Sequence, residues 1–280
     1  MENAQEKKFK ECPIPDVLRI DSLFTFFRER FSRDYVFPGE YHDFTEAVCV
    51  TDGCVGVTAD KTVYTLPAGR LIVHGANEFH KIWSVDGEPE AVVFSFAASA
   101  FPHGVSGVYT LTADDMDALN GLCRDAERIF DRNGIIVERI KIGQESEASV
   151  FVKRLETFLI GVLTRAATEA SVYKSRSAEN YFRIVSVMEN NIGSKLCAAE
   201  LARLCAMSVP ALEKTVKKFA GTGAVEHFTN MKIKRATELL REGKSVKHTA
   251  LALGFSDQNY FSAVFKKRTG FAPTHIDRRR

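Results

Sequence analysis

Long apolar runs are missing from this sequence. The stretch from Ala91 to Phe94 stops at Ser95, and nothing approaches the ~18 apolar residues that a membrane-spanning helix needs. Met1 to Glu11 is charged and leads into no apolar segment, so no secretory signal is expected, no membrane partner, and a cytoplasmic location. Paired cysteines are missing too. The six cysteines, at 12, 49, 54, 123, 197 and 205, form no CxxC, which predicts free and mostly buried thiols. Cys49 and Cys54 are spaced to face each other across a hairpin. No nucleophile elbow, phosphate-binding loop or dinucleotide fingerprint occurs, and the glycines of Gly53-Cys54-Val55-Gly56 read as hairpin glycines. The expectation is a protein that is not an enzyme and holds no cofactor.

What is present is ordinary in amount and uneven in place. At 280 residues, two domains are expected, and 45% hydrophobic with 26% charged residues fits a globular chain. Residues 178–280 carry 18 Lys and Arg against 9 Asp and Glu, a net +9, while residues 1–177 carry 20 against 27, a net −7. A basic final third on an acidic remainder points to a polyanion-binding module joined to something else.

Residues 41–96 alternate strand-forming runs with turn signals at Thr51-Asp52-Gly53, Thr58-Ala59-Asp60, Leu66-Pro67-Ala68-Gly69, Gly75-Ala76-Asn77 and Asp86-Gly87. That spacing predicts short antiparallel strands in a sandwich or barrel. A helix is expected over Asp115–Asp131 after Thr112. Before it, an N-terminal arm from Phe9 to Phe37 carries Phe24, Phe26 and Phe27, which either pack over the barrel or touch the C-terminal domain. In 147–170, Phe151, Leu155, Phe158 and Val162 recur at helical spacing, and the apolar stripe predicts a helix with one face for its own domain and one for a second copy, hence a homodimer. Ser171 to Ala178 is polar and aperiodic and reads as a linker.

The region after 178 is helical and repeats itself. Leu201-Ala202-Arg203-Leu204-Cys205-Ala206-Met207-Ser208 parallels Thr249-Ala250-Leu251-Ala252-Leu253-Gly254-Phe255-Ser256. Each copy has an Ala where two helices cross, a small residue for a tight turn of positive φ, an apolar plug, and a Ser to cap the following helix. The second helices are two-faced. Leu212, Val216 and Phe219 go inward in the first, with Pro210, Glu213, Lys214 and Lys217 elsewhere. In the second, Phe261, Val264 and Phe265 go inward, while Gln258, Asn259, Ser262, Ala263 and Lys266 project outward. Amides near a helix start can read adenine edges, a carboxylate can accept from cytosine, and lysines meet phosphate. Between the copies, residues 225–242 form a helix of about 27 Å at 1.5 Å per residue, close to the ~34 Å between successive major-groove faces. The partner expected is double-stranded promoter DNA.

These residues carry a resemblance. Gly254-Phe255-Ser256-Asp257-Gln258-Asn259-Tyr260-Phe261, then Phe265-Lys266-Lys267-Arg268-Thr269-Gly270 and Pro273, resembles the AraC family of transcription regulators, as do Met231, Lys232, Ile233, Ala236, Leu239 and Leu240. Departures are Ile276 and Asp277 after the final Pro, His227-Phe228 at the start of the connecting helix, and Glu213. Tyr41-His42-Asp43-Phe44-Thr45-Glu46, Pro67-Ala68-Gly69 and His80 resemble the family's cupin-like sensor barrel, and 147–170 its dimerisation helix. The resemblance implies an α+β chain: a cupin-like antiparallel β-barrel sensor over 1–146, a dimerisation helix over 147–170, a linker over 171–178 and an all-α double helix-turn-helix domain over 179–280. It implies a small-molecule effector near His42, Glu46, Arg70, His80 and Trp83, and RNA polymerase as a partner of an activator. A barrel that binds no ligand and serves only to dimerise stays open. Metal-dependent cupin enzymes hold their ion with two or three His and a Glu, and His42 and Glu46, four residues apart on one side of a strand, with either His74 or His80 offer such a set. Their first motif is His-x-His, however, and this chain has one His in Gly39-Glu40-Tyr41-His42, so no metal is expected. The alternative function is such an enzyme with a helical partner-binding domain.

Overall fold

The computed structural model of the chain describes residues 12–278 apart from 103, 166 and 168–174. The expected arm is instead a strand, β1 (Arg19–Arg30), paired antiparallel with β5 (His80–Ala100), and Phe26 is fully buried beneath the sheet. Between them run β2 (Thr45–Ala59), β3 (Thr62–Pro67) and β4 (Arg70–His74), followed by β6 (Gly107–Thr110). The sheet order is β6-β4-β2-β5-β1-β8-β7, with β3 on β2, where β7 is Phe130–Asn133 and β8 Ile136–Ile140.

Three of the five turn signals reverse the chain. Those at 51–53 and 86–87 do not. They lie inside β2 and β5, which stay paired from Thr45↔Phe96 to Ala59↔His80 through register shifts between Val50 and Val55. The extra residues bulge and bend both strands instead of ending them. Cys49 and Cys54 therefore share one strand and do not face each other, and all six cysteines are free, with Cys12 and Cys197 exposed.

Helix α1 (Ala113–Ile129) starts as expected: Thr112 accepts from the Asp115 N–H and the Asp115 carboxylate accepts from the Thr112 N–H. Helix α2 (Glu145–Leu163) turns the expected dimer residues inward. Phe151, Leu155, Phe158 and Val162 are all buried within their own domain, at 1%, 0%, 6% and 0% exposure. Phe151 sits edge-on to both Phe26 and Phe130, each 5.2 Å away. The stripe is taken up by the sheet on one flank and α1 on the other, so these four side chains are not free to meet a second copy. The outward side bears Lys153, Arg154 and Thr157, and Arg154 and Arg165 pair with Asp125 and Asp115 of α1. The helix also ends at Leu163. Residues 166 and 168–174, with the first half of the expected linker, lie outside the described residues, and Ser175 already caps α3 (Arg176–Asn190).

Five further helices follow: α4 (Ala198–Leu204), α5 (Val209–Ala220), α6 (Ala224–Arg241), α7 (Val246–Ala252) and α8 (Gln258–Thr269), then a 3-10 turn at Pro273–Arg278. Two apolar clusters hold them. One joins α3, α4 and α5 around Tyr181, Leu212 and Phe219, the other joins α6 to α8 around Phe255, Phe261 and Phe265, and α6 enters both. Val63 and Phe79 of the sheet domain belong to the first cluster, so the core crosses the boundary that the chain suggests. Among the described residues no helix is long and apolar enough to cross a membrane.

Candidate functional site

Helices α4 and α5 meet at Ala206, whose φ is +50°, and α7 and α8 at Gly254, φ +70°. Ser208 caps α5, accepting from the Ala211 N–H. In the second unit the cap is Asp257, one residue after the Ser256 expected, and it accepts from the Tyr260 N–H at 2.8 Å. Both second helices bury the expected faces, Leu212, Val216 and Phe219 in α5 and Phe261 and Phe265 in α8, with Val264 half-buried beside them. Pro210, Lys214 and Lys217 of α5 and Gln258, Asn259, Ala263 and Lys266 of α8 are exposed. Ser262 is half-buried and donates its hydroxyl proton to the Gln258 carbonyl, which leaves it lone pairs to accept with.

Glu213 is different. Its carboxylate accepts from the Ala224 N–H at 3.0 Å, capping α6, whose own cap position is Gly223 and offers no side chain. Occupied there, it does not project outward with Lys214, and the base-reading role expected of it is withdrawn. Lys232 was missed as a structural residue. Its buried ammonium donates to the carbonyls of Ser194 and Leu253 and lies 4.6 Å from the Phe228 ring centroid. One side chain of α6 thus bonds the loop before the first unit and the turn of the second. Burial pushes its pKa down to about 8, so it remains charged at neutral pH.

The sheet domain holds a cavity of about 400 Å³ walled by Phe24, Phe27, Phe31, Tyr35, Phe37 and Phe44, with Glu46, His74, His80 and Lys81 among its polar lining. That volume suits a small organic molecule. At one end Glu40, His42, Glu46 and His80 converge. His80 Nε2 lies 3.3 Å from Glu46 and 3.6 Å from Glu40, and His42 Nε2 lies 3.9 Å from Glu46. Burial alone would lower the His80 pKa, but the two carboxylates lift it to about 10. Burial pushes Glu46 up, and His80 outweighs it and holds the carboxyl below its usual range. His42 is lowered by burial and by its neighbour His80.

Two of the expected effector residues are elsewhere, and a third, His42, meets the cavity only at its polar end. Arg70, on β4, donates to the Thr110 hydroxyl on β6 outside the cavity. Trp83 packs edge-on against Phe219 of α5, 6.1 Å between centroids. His42 lines a second cavity of about 410 Å³ shared with Lys234, Arg241 and Arg268 of the helical domain. Sequence spacing could not place Arg70 or Trp83, because each faces away from the cavity on a strand whose two sides are both covered. Lys81 was missed: its neighbours give no pattern that marks it.

Residues 201–279 match the helix-turn-helix domain family. Over 244 residues the chain is 23% identical to the transcriptional activator RhaS of Klebsiella pneumoniae, covering 86% of this chain and 87% of that protein. RhaS of an Enterobacter species is 22% identical over 245 residues, with the same coverage. Set beside two helix-turn-helix units bracketing one connecting helix, this decides the matter. The chain is a DNA-binding transcription regulator similar to the RhaS activators, with a helix-turn-helix domain over residues 201–279. Among solved structures, Vibrio cholerae ToxT with a bound unsaturated fatty acid aligns over 92% of this chain and 96% of its own, at 15% identity and a TM-score of 0.37, too loose a likeness to carry a conclusion.

In this regulator the sheet domain grips the helical domain directly. Asp60, in the β2–β3 turn, pairs with Lys234 of α6, and its carbonyl accepts from the Tyr181 hydroxyl at 3.0 Å. Lys81 donates to the Lys218 carbonyl at 2.6 Å, near the C-terminal end of α5. Gly221, just beyond, has φ +71°, and a Cβ there would lie 1.9 Å from the Pro38 carbonyl oxygen. The first recognition helix is therefore seated on the barrel by its C-terminal end, while its start at Pro210 stays open.

Proposed function

We propose that the barrel cavity binds a small-molecule effector, and that occupancy changes how α5 is held for DNA. The observation that carries this is Lys81. It lines the cavity and also donates to the Lys218 carbonyl of α5. A molecule with an apolar ring for the aromatic walls and an acceptor for this ammonium would compete with that carbonyl. A ligand shifts an equilibrium only by its different affinity for the two states, and this competition supplies the difference.

On DNA, Gln258 and Asn259 read base edges from α8, with Ser262 and Ala263 beside them. Pro210 and Lys214 approach from the start of α5, while Lys217 and Lys266 meet phosphates. Since the RhaS relatives are named activators, we extend activation to this chain, with RNA polymerase as the partner and the cytoplasm as the place. The test is a thermal-shift screen of metabolites on the full chain, with Val93→Phe filling the cavity. Compounds that stabilise the wild type and alter its operator affinity, but do neither in Val93→Phe, are expected. If every compound that alters operator affinity acts equally on Val93→Phe, the barrel is not the effector site.

A further inference from the structure

We propose that Glu40, His42, Glu46 and His80 bind one divalent transition-metal ion at the end of the barrel cavity. Each offers one ligand atom, and the four atoms lie within 4.8 Å of one another. Metal bonds of about 2.0–2.2 Å place ligand atoms up to roughly 4.4 Å apart, so side-chain shifts of a few tenths of an ångström complete the set.

Orientation carries more weight than proximity. His42 Nδ1 lies 3.0 Å from the Phe44 carbonyl oxygen, and His80 Nδ1 lies 3.1 Å from that of Glu78. A carbonyl only accepts, so each Nδ1 carries a hydrogen and each neutral ring presents its lone pair at Nε2. Both Nε2 atoms are buried and neither has a hydrogen-bond partner. His80 itself is 3% exposed. With both rings neutral, two lone pairs and two carboxylates face each other and repel unless a cation lies among them. A proton on His80 Nε2 faces Glu46 at 3.3 Å and Glu40 at 3.6 Å, but it is poorly aligned on either carboxylate and leaves the His42 Nε2 lone pair without a partner. A metal ion answers all four groups, and a ring whose Nδ1 is tied to a carbonyl is the usual form of a ligating histidine.

The backbone holds the set in place. The Glu40 N–H donates to the His80 carbonyl at 3.0 Å and the His80 N–H to the Glu40 carbonyl at 3.2 Å, so these two ligands move together. The donors are two imidazoles and two carboxylates with no thiolate, which suits Mn²⁺, Fe²⁺, Co²⁺, Ni²⁺ or Zn²⁺ and disfavours Cu⁺. Glu40, Glu46 and His80 line the cavity, so the ion would stand at its wall, where an oxygen of a bound molecule can reach it. The proposal assigns no reaction to the ion and stands whether or not the effector reading does.

The experiment uses the untagged full-length chain, stripped with chelator and dialysed against Co²⁺. Metal content is measured by mass spectrometry and ligand field by the visible d–d bands. One Co²⁺ per chain is expected. His42→Ala should weaken binding at least tenfold. Glu40→Gln, at a half-exposed side chain whose loss spares the core, should alter the bands. His248→Ala, exposed on α7, should do neither, and circular dichroism checks that each variant is folded. No Co²⁺ on the wild type would leave the cluster a proton-bridged pair and overturn the proposal. So would binding with unchanged affinity and bands in both His42→Ala and Glu40→Gln.

Discussion

His227 shows how much one buried ring can carry. Tyr181 donates its proton to the Asp60 carbonyl, so its oxygen accepts from His227 Nε2–H at 3.3 Å, and Nδ1 is left buried without a partner. Burial lowers the His227 pKa to about 4. Unfolded, the ring titrates near 6.5. Between those values the unfolded chain binds a proton that the native chain refuses, so stability falls as pH drops from about 6.5 to 4, by up to roughly 3 kcal/mol. Denaturant unfolding across that window should show the loss, and His227→Gln, which keeps the donor and cannot titrate, should flatten it. On the DNA side, Gln258→Ala should cost about 1–3 kcal/mol on the cognate duplex and relax preference at its own base. Lys266→Ala should weaken binding to every duplex and reduce the salt slope by about one. Titrations on cognate and scrambled duplexes at several salt concentrations separate the two. Equal weakening of both duplexes by Gln258→Ala would make it a backbone contact.

Among the elements, the turn between α7 and α8 is held twice over. Gly254 has φ +70°, and a Cβ there would lie 2.3 Å from the Gly193 carbonyl oxygen. Left-handed backbone costs a non-glycine residue about 1 kcal/mol, and the clash with a fixed carbonyl adds to it. Gly254→Ala should therefore lower stability by more than about 2 kcal/mol. A midpoint within experimental error of the wild type would show that the turn shifts freely. Helix α2 makes the opposite point about a face taken to be outward. Leu155 is wholly buried, so Leu155→Glu puts a carboxylate in the core and should cost about 4 kcal/mol or more. Size-exclusion chromatography and circular dichroism should show unfolded or aggregated protein. A folded, soluble monomer would restore the dimer seam.

At the scale of the molecule, α6 is the rod that spaces the two readers. Its 18 residues span about 27 Å, close to the ~34 Å groove repeat, and Lys232 ties it to the loop before the first unit and to the turn of the second. The barrel docks on the helical domain through Asp60, Lys81 and the Trp83 face. Trp83, the only tryptophan, lies on Phe219 and therefore reports docking. Lys234→Glu would set a second carboxylate against Asp60 and should free the barrel, moving Trp83 emission to the red as water reaches the ring. Unchanged emission would mean that the Lys81 and Tyr181 bonds suffice without the ion pair.

The tandem helix-turn-helix was legible in the sequence because its signals are local. A capping side chain, a residue able to hold positive φ and an apolar repeat each act within a turn or two of helix, so adjacent residues suffice to state them. The capping of α1 and the extent of α6 were legible for the same reason. Glu213 was misplaced because its partner, the Ala224 N–H, lies eleven residues on across a turn. The stripe of α2 had the same period whether a second copy or its own sheet covered it, and only the surrounding volume decided for the sheet. Turn signals at 51–53 and 86–87 became bulges because two long strands remain paired across them. The spacing of His42 and Glu46 was legible as one side of a strand, but Glu40 was not singled out and nothing local chose His80 over His74, which lies on the preceding strand. The four groups meet because one strand pairing sets His80 opposite Glu40, and that pairing exists only in the folded sheet.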